Sequence, residues 1–258
     1  MKDAVRLAVG TLSVLPMGPP GKVDREVAGQ AMVLAPAVGV LLGGIAGAVV
    51  AGVEALRPDA PLLAAVLGVV VLVALSGALH LDGLADTADG LGSRRDRETM
   101  LRIMKQSDIG PFGVTSIAAV LLIDVAALTA CIQSGYGWQS LLVGAVASRL
   151  TLPWSCRTTI PSARPEGLGA MVASTVRPTT AALLTLTTAL LAALLFRLTG
   201  NHLLAVPGAA AAVLASTAVA LAATHKSLRT FGGITGDTLG ATLELALPTT
   251  LLTLALTT

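Results

Sequence analysis

PLLAAVLGVVVLVALSGALHLDGLADTADGLGSRR, residues 61–95, decides what kind of protein this is. Its first half is an unbroken run of Ala, Val, Leu and Gly, long enough to cross roughly 30 Å of hydrocarbon as a helix. Its second half keeps a helical spacing and fills it with acids. Asp82, Asp86 and Asp89 stand at i, i+4 and i+7, so a helix continuing past Leu79 places the three carboxylates on one face. Like charges at that spacing repel, and an acid within the membrane costs roughly 2.5–3.5 kcal/mol on insertion scales. The cluster therefore calls for a counter-ion. Hard divalent cations, Mg²⁺ above all, take oxygen ligands and bind through a few carboxylates together with substrate phosphates. Gly83, Ala85, Ala88 and Gly90 between the acids leave room for a bulky ligand against the backbone. The plain alternative is a row of solvated acids at a helix end. His80 reads either as an interfacial packing residue or as a site residue.

Outward from this stretch, the chain is built for lipid. Of 258 residues 54% are hydrophobic, 2% aromatic and only 12% charged, against about 25% charged in soluble domains; the mean hydropathy is +0.81. Apolar windows of spanning length fall at about 31–53, 61–79, 112–132, 139–156, 179–196, 203–223 and 239–258. The expectation is an all-α, polytopic membrane bundle of about seven transmembrane helices forming one integral membrane domain over residues 1–258. The N-terminal segment carries Lys2, Asp3 and Arg6 and ends at Pro16, Pro19 and Pro20, which predicts a short amphipathic or re-entrant helix at the interface. The fourth window is the weakest, interrupted by Arg149 and Pro153. Cys131 and Cys156 stand alone, without metal-ligand or redox spacing, and read as small buried hydrophobes. No dense basic run points to nucleic acid.

The basic residues give an independent test of these windows, because cytoplasmic loops are enriched in Lys and Arg. Lys2, Arg6, Lys22 and Arg25 precede the first window; Arg94, Arg95, Arg97, Arg102 and Lys105 follow the second; Arg157, Arg164 and Arg177 follow the fourth; Lys226 and Arg229 follow the sixth. The alternate connections hold only Arg57 and Arg197, and Arg149 lies within a window. The alternation predicts an inner-membrane protein with its N-terminus in the cytoplasm, and it opens the three polar loops on that same side.

Those loops carry complementary chemistry. In LRIMKQSDIGPFG, residues 101–113, Arg102 and Lys105 could take phosphate, Asp108 could be a metal ligand or a helix cap, and Gly110, Pro111 and Gly113 shape a helix start. In THKSLRTFGGITGDTLGA, residues 224–241, Gly232, Gly233 and Gly236 leave the backbone free to form an anion nest, Thr235 and Thr238 add hydroxyls, and Asp237 adds a carboxylate. Lys226 and Arg229, with Arg94 after the acidic helix, could balance phosphate charge, and Arg149 needs an anionic partner. Acids for a metal, glycines for close approach and bases for charge together describe phosphoryl transfer. No Walker-type phosphate loop is present, so ATP hydrolysis is not indicated.

HLDGLADTADG, MKQSDIGPFG and GGITGDTLGA, in this order and over almost the whole chain, resemble the cobalamin synthase family of adenosylcobinamide-GDP ribazoletransferases. The resemblance implies a membrane-embedded, Mg²⁺-dependent enzyme that joins adenosylcobinamide-GDP to α-ribazole or its 5′-phosphate and releases GMP. It implies that His80, Asp82, Asp86 and Asp89, together with Gly232, Gly233, Thr235, Gly236 and Asp237, belong to the active site. Asp82, Asp86 and Asp89, with Asp108 or Asp237, would hold the metal. The middle motif departs from the family, since Gln106 and Asp108 stand where Asp and Arg are frequent. A looser resemblance is to CDP-alcohol phosphotransferases, through DTADGLGSR at residues 86–94, although their second acidic half is missing. A cation-coupled transporter is the reading from another class. A homo-oligomer is compatible with the sequence.

Overall fold

In the computed structural model, which describes residues 1–200 and 204–258, the chain is helical from end to end, in the order α1 (Lys2–Leu12), α2 (Arg25–Leu56), α3 (Pro61–Leu75), α4 (Leu79–Gly92), α5 (Arg97–Ile103), α6 (Pro111–Gln133), α7 (Gly137–Ser155), α8 (Leu168–Val172), α9 (Pro178–Thr199), α10 (Ala205–Phe231) and α11 (Gly236–Ala255). No strand longer than an isolated bridge occurs among the described residues. Position 203, the first of the sixth apolar window, lies outside them.

Five of these helices, α2, α6, α9, α10 and α11, are long and apolar enough to cross a membrane, and a sixth crossing results if α3 and α4 count as one bent span. By length and composition alone the expected seven is therefore not confirmed, for two reasons that the apolar windows hide. The window at 61–79 is not one straight helix running on into the acids. Gly77 at φ +63 and Ala78 at φ +57 break it, and α4 leaves α3 at 87°. The fourth window is α7, whose Gln139, Ser140, Ser148, Arg149 and Thr151 lower its hydropathy. All five side chains are buried inside the bundle, so the polar groups of α7 meet protein.

Without a hydrophobic force between helices in lipid, close association depends on small residues that let backbones touch. In α2 these are Gly39, Gly43 and Gly47, one turn apart. A Cβ on Gly39 would lie 2.6 Å from the Ala145 carbonyl oxygen and one on Gly43 2.8 Å from Ala145 Cβ, so α2 lies directly on α7. Around this pair α9, α10 and α11 complete the bundle. On α9 the stripe Leu183, Leu186, Leu190, Leu194 and Leu198 is exposed, as a lipid-facing surface must be.

The long connection between α7 and α9 is held in place at several points. Thr158 N–H donates to the Val176 carbonyl, Thr175 and Val176 N–H both donate to that of Cys156, and the Arg25 guanidinium binds the carbonyls of Ala170 and Ala173. A parallel bridge joins Ser162 to Ile234, where the backbone at Gly233 comes so close to residues 161–163 that a side chain would not fit. This loop is thereby anchored to the start of α11, and it delivers Arg164 there.

Candidate active site

The site is assembled where α4 crosses α11. A Cβ on Gly83 would stand 2.8 Å from the Asp237 carbonyl oxygen, and one on Gly240 3.2 Å from the backbone of His80. Two hydrogens in place of two side chains set Asp82 and Asp86 of α4 beside Asp237 of α11. Asp86 feels the like charges of Asp82, Asp237 and Asp89, and Arg164 is the opposing charge. Thr235 caps α11 through a box with Thr238: its hydroxyl accepts the Thr238 N–H at 3.1 Å, and its own N–H reaches the Thr238 hydroxyl at 2.8 Å. Asp237, in the first turn, accepts from the Thr235 hydroxyl and from Arg164 Nη1, both at 3.2 Å. The other arm of the Arg164 fork donates to the Leu101 carbonyl at 2.7 Å.

A cavity of about 300 Å³ opens at this crossing. Asp82, Arg164, Thr235, Gly236 and Asp237 bring polar atoms to it, Leu12, Met32, Leu152 and Leu239 bring apolar walls, and His80 lies among them. Arg164 and Glu166 also line a second, wider groove of about 900 Å³, which carries Arg97, Arg102 and Lys105 together with Asp96 and Glu98. An acidic pocket thus adjoins a groove whose four bases slightly outnumber its three acids, with Arg164 at the boundary.

The sequence-predicted residues divide on this geometry. Asp82, Asp86, Asp237, His80, Thr235 and Gly236 come together, and Arg102 and Lys105 line the adjoining groove. Asp89 turns away from them. Its two carboxylate oxygens accept the N–H groups of Gly110 and Gly113, at 2.7 and 2.9 Å, and so cap α6. Asp108 therefore is not that cap, and it lies exposed and lines neither cavity nor groove. Gly232 and Gly233 serve a turn: Gly232 ends α10 at φ +76 beneath the Arg97 guanidinium, and the Gly233 carbonyl accepts from Ser227. Arg94, Lys226 and Arg229 line neither space. Arg149 is buried deep in the bundle, its Nη1 on the Ser148 hydroxyl at 3.0 Å and its Nε without a hydrogen-bond partner among the described residues; Glu244 of α11 contributes an opposing charge but is not ion-paired with it.

Arg164, Glu166 and Arg97 belong to the site although no motif marks them. Arg164 was visible only as one basic loop residue among several. Thr11 and Leu12 of α1 also reach the cavity, which nothing in the N-terminal segment announces.

For Mg²⁺ these carboxylates offer at most part of a coordination shell. Among the described residues no three His, Cys, Asp or Glu side chains converge to hold a metal ion. Mg²⁺ usually keeps several waters and takes one or two carboxylates plus substrate phosphates. A repelling Asp82–Asp86–Asp237 set beside a basic groove fits that incomplete coordination.

A multi-pass helical bundle that sets carboxylates beside bases is compatible with a membrane transferase acting on phosphate esters. Known proteins narrow the class. The family model described as cobalamin-5-phosphate synthase matches residues 4–255, and the chain belongs to this family. It is 43% identical to an adenosylcobinamide-GDP ribazoletransferase of Frankia casuarinae, covering 98% of this chain and 94% of that protein. It is 40% identical to one of a Nocardioides species, covering 98% of each, and 38% identical to one of Pseudomonas aeruginosa, covering 99% of this chain and all of that protein. No solved structure matches the chain.

Proposed function

We propose that this protein transfers the adenosylcobinamide-phosphate group of adenosylcobinamide-GDP to α-ribazole or its 5′-phosphate, releasing GMP, in the last assembly step of cobalamin synthesis. The observation that supports it most directly is the meeting of Asp82, Asp86 and Asp237 with Arg164, between a cavity and a groove that carries bases. A diphosphate ester needs positive charge along its length and carboxylates at the bond that breaks, and these two spaces offer the two in sequence.

In this reading Arg97, Arg102 and Lys105 hold the guanosine diphosphate arm in the groove. Arg164, its fork already fixed by Leu101 and Asp237, orients the bridging phosphates at the boundary. Asp82 takes the proton of the attacking 5′-hydroxyl, whose oxygen bonds to the cobinamide-side phosphorus as the bond to GMP breaks. Asp86 and Asp237 would supply one or two carboxylate ligands to Mg²⁺, which when bound neutralises charge gathering on the leaving phosphate. Asp89 acts at one remove, by fixing α4 to α6. The polar loops face the cytoplasm and the membrane is the inner one, as the distribution of Lys and Arg suggests.

The test is GMP release by purified protein given adenosylcobinamide-GDP and α-ribazole, with Mg²⁺ and with chelator. GMP that appears only with both substrates and is lost on chelation supports the proposal. Release of CMP from CDP-diacylglycerol instead would overturn it.

A further inference from the structure

His80 is 4% exposed, and neither ring nitrogen has a hydrogen-bond partner among the described residues. An imidazole so placed forgoes both of its bonds, which native proteins rarely allow without a reason. Its position supplies one, because it lines the cavity behind the carboxylates. There the other inner walls are Leu12, Met32, Leu152 and Leu239, all 5% exposed or less. The close approach of Gly240 to the His80 backbone pins the residue from the α11 side. Such a space is a poor match for a nucleoside diphosphate, whose charges find the basic groove next door.

Resting on the transfer reaction above, we infer that this cavity is the acceptor subsite and takes a nucleoside whose base is an apolar fused heteroaromatic, with His80 donating a hydrogen bond to the base's unsubstituted ring nitrogen. The walls suit a benzimidazole ring, and a volume of about 300 Å³ suits a nucleoside rather than a corrinoid. The sugar then lies toward the polar mouth, with its 5′-hydroxyl near Asp82 and Asp237. His80 is thereby the residue that selects the acceptor base, and the donor meets the cavity only where Asp82, Arg164 and Asp237 line it.

The experiment compares wild type with His80→Leu, His80→Gln and Leu152→Trp, purified in detergent. One readout is steady-state KM for each substrate; the other is the fluorescence change of α-ribazole on binding to protein without donor. His80→Leu is expected to raise the acceptor KM and dissociation constant about ten-fold, the loss of one good hydrogen bond. The donor KM should move less than about two-fold, and His80→Gln, which keeps a donor group, should recover part of the loss. Leu152→Trp should weaken the acceptor alone, by filling the cavity. A rise in the donor KM, a fall in kcat with unchanged acceptor binding, or unchanged acceptor binding in all three variants would each overturn the assignment. Wild-type protein that binds α-ribazole in a His80-dependent way but releases no GMP would refute the transfer reaction and leave the subsite standing.

Discussion

Asp89 and Gly110 are joined by a 2.7 Å hydrogen bond from backbone to carboxylate, and the second oxygen of Asp89 takes Gly113 N–H at 2.9 Å. One acid of the DxxxDxxD row is thus the N-terminal cap of a different helix, and it satisfies N–H groups that Pro111 and the helix start leave without partners. The row is divided: Asp82 lines the cavity and Asp86 feels the charges of Asp82 and Asp237, while Asp89 locks α4 to α6.

This division predicts different failures for neighbouring acids. Asp89→Ala should lose about 1–2 kcal/mol of stability, the usual worth of a lost cap, and thermal unfolding in detergent will show it. Asp82→Asn should melt with the wild type and release no GMP. Equal melting of the two variants would refute the capping role.

At the α4–α11 crossing there is no room for a side chain. Gly83→Val places carbon within about 3 Å of the Asp237 backbone and must push the helices apart, at a cost of about 1–3 kcal/mol. Activity should fall further than stability, because Asp82 and Asp237 separate. Wild-type turnover in Gly83→Val would show that the two carboxylates need not be held together.

Arg164 tests the difference between charge and fork. Arg164→Lys keeps the charge but cannot hold the Leu101 carbonyl and Asp237 together. It should lose activity nearly as fully as Arg164→Ala, on the order of 100-fold, the scale expected for misplaced reacting groups. Full activity in the lysine variant would reduce Arg164 to a point charge.

The groove residues act at longer range. Arg102→Glu combined with Lys105→Glu should raise the KM for adenosylcobinamide-GDP about ten-fold at low ionic strength, with a smaller effect at high salt. The KM for α-ribazole should stay level. Salt titration of both constants checks this.

Sidedness can be read with impermeant maleimides, because Cys131 and Cys156 are buried and should stay silent. Arg95→Cys should label only in inside-out vesicles and Arg57→Cys only in right-side-out ones. Labelling of both from one side would refute the proposed alternation, and the reversed pattern would invert the topology.

The sequence by itself determined that this is a helical membrane protein and where its polar loops fall, and it marked three motifs as candidates for the chemistry. These are local properties: apolar run length, the spacing of Asp82, Asp86 and Asp89, and the sites of Lys and Arg follow from composition along one segment. The tertiary structure decided the rest. It broke the second window at Gly77, because a helix can turn there at little cost, and so aimed α4 across α11. It gave Asp89 to the start of α6, and the Gly232–Gly233 pair to a turn that anchors the loop bearing Arg164. It brought Arg164 to Asp237 from 73 residues away. No periodicity reports such pairings, since which groups meet is fixed by how closely two helices approach, and that depends on small residues on both at once.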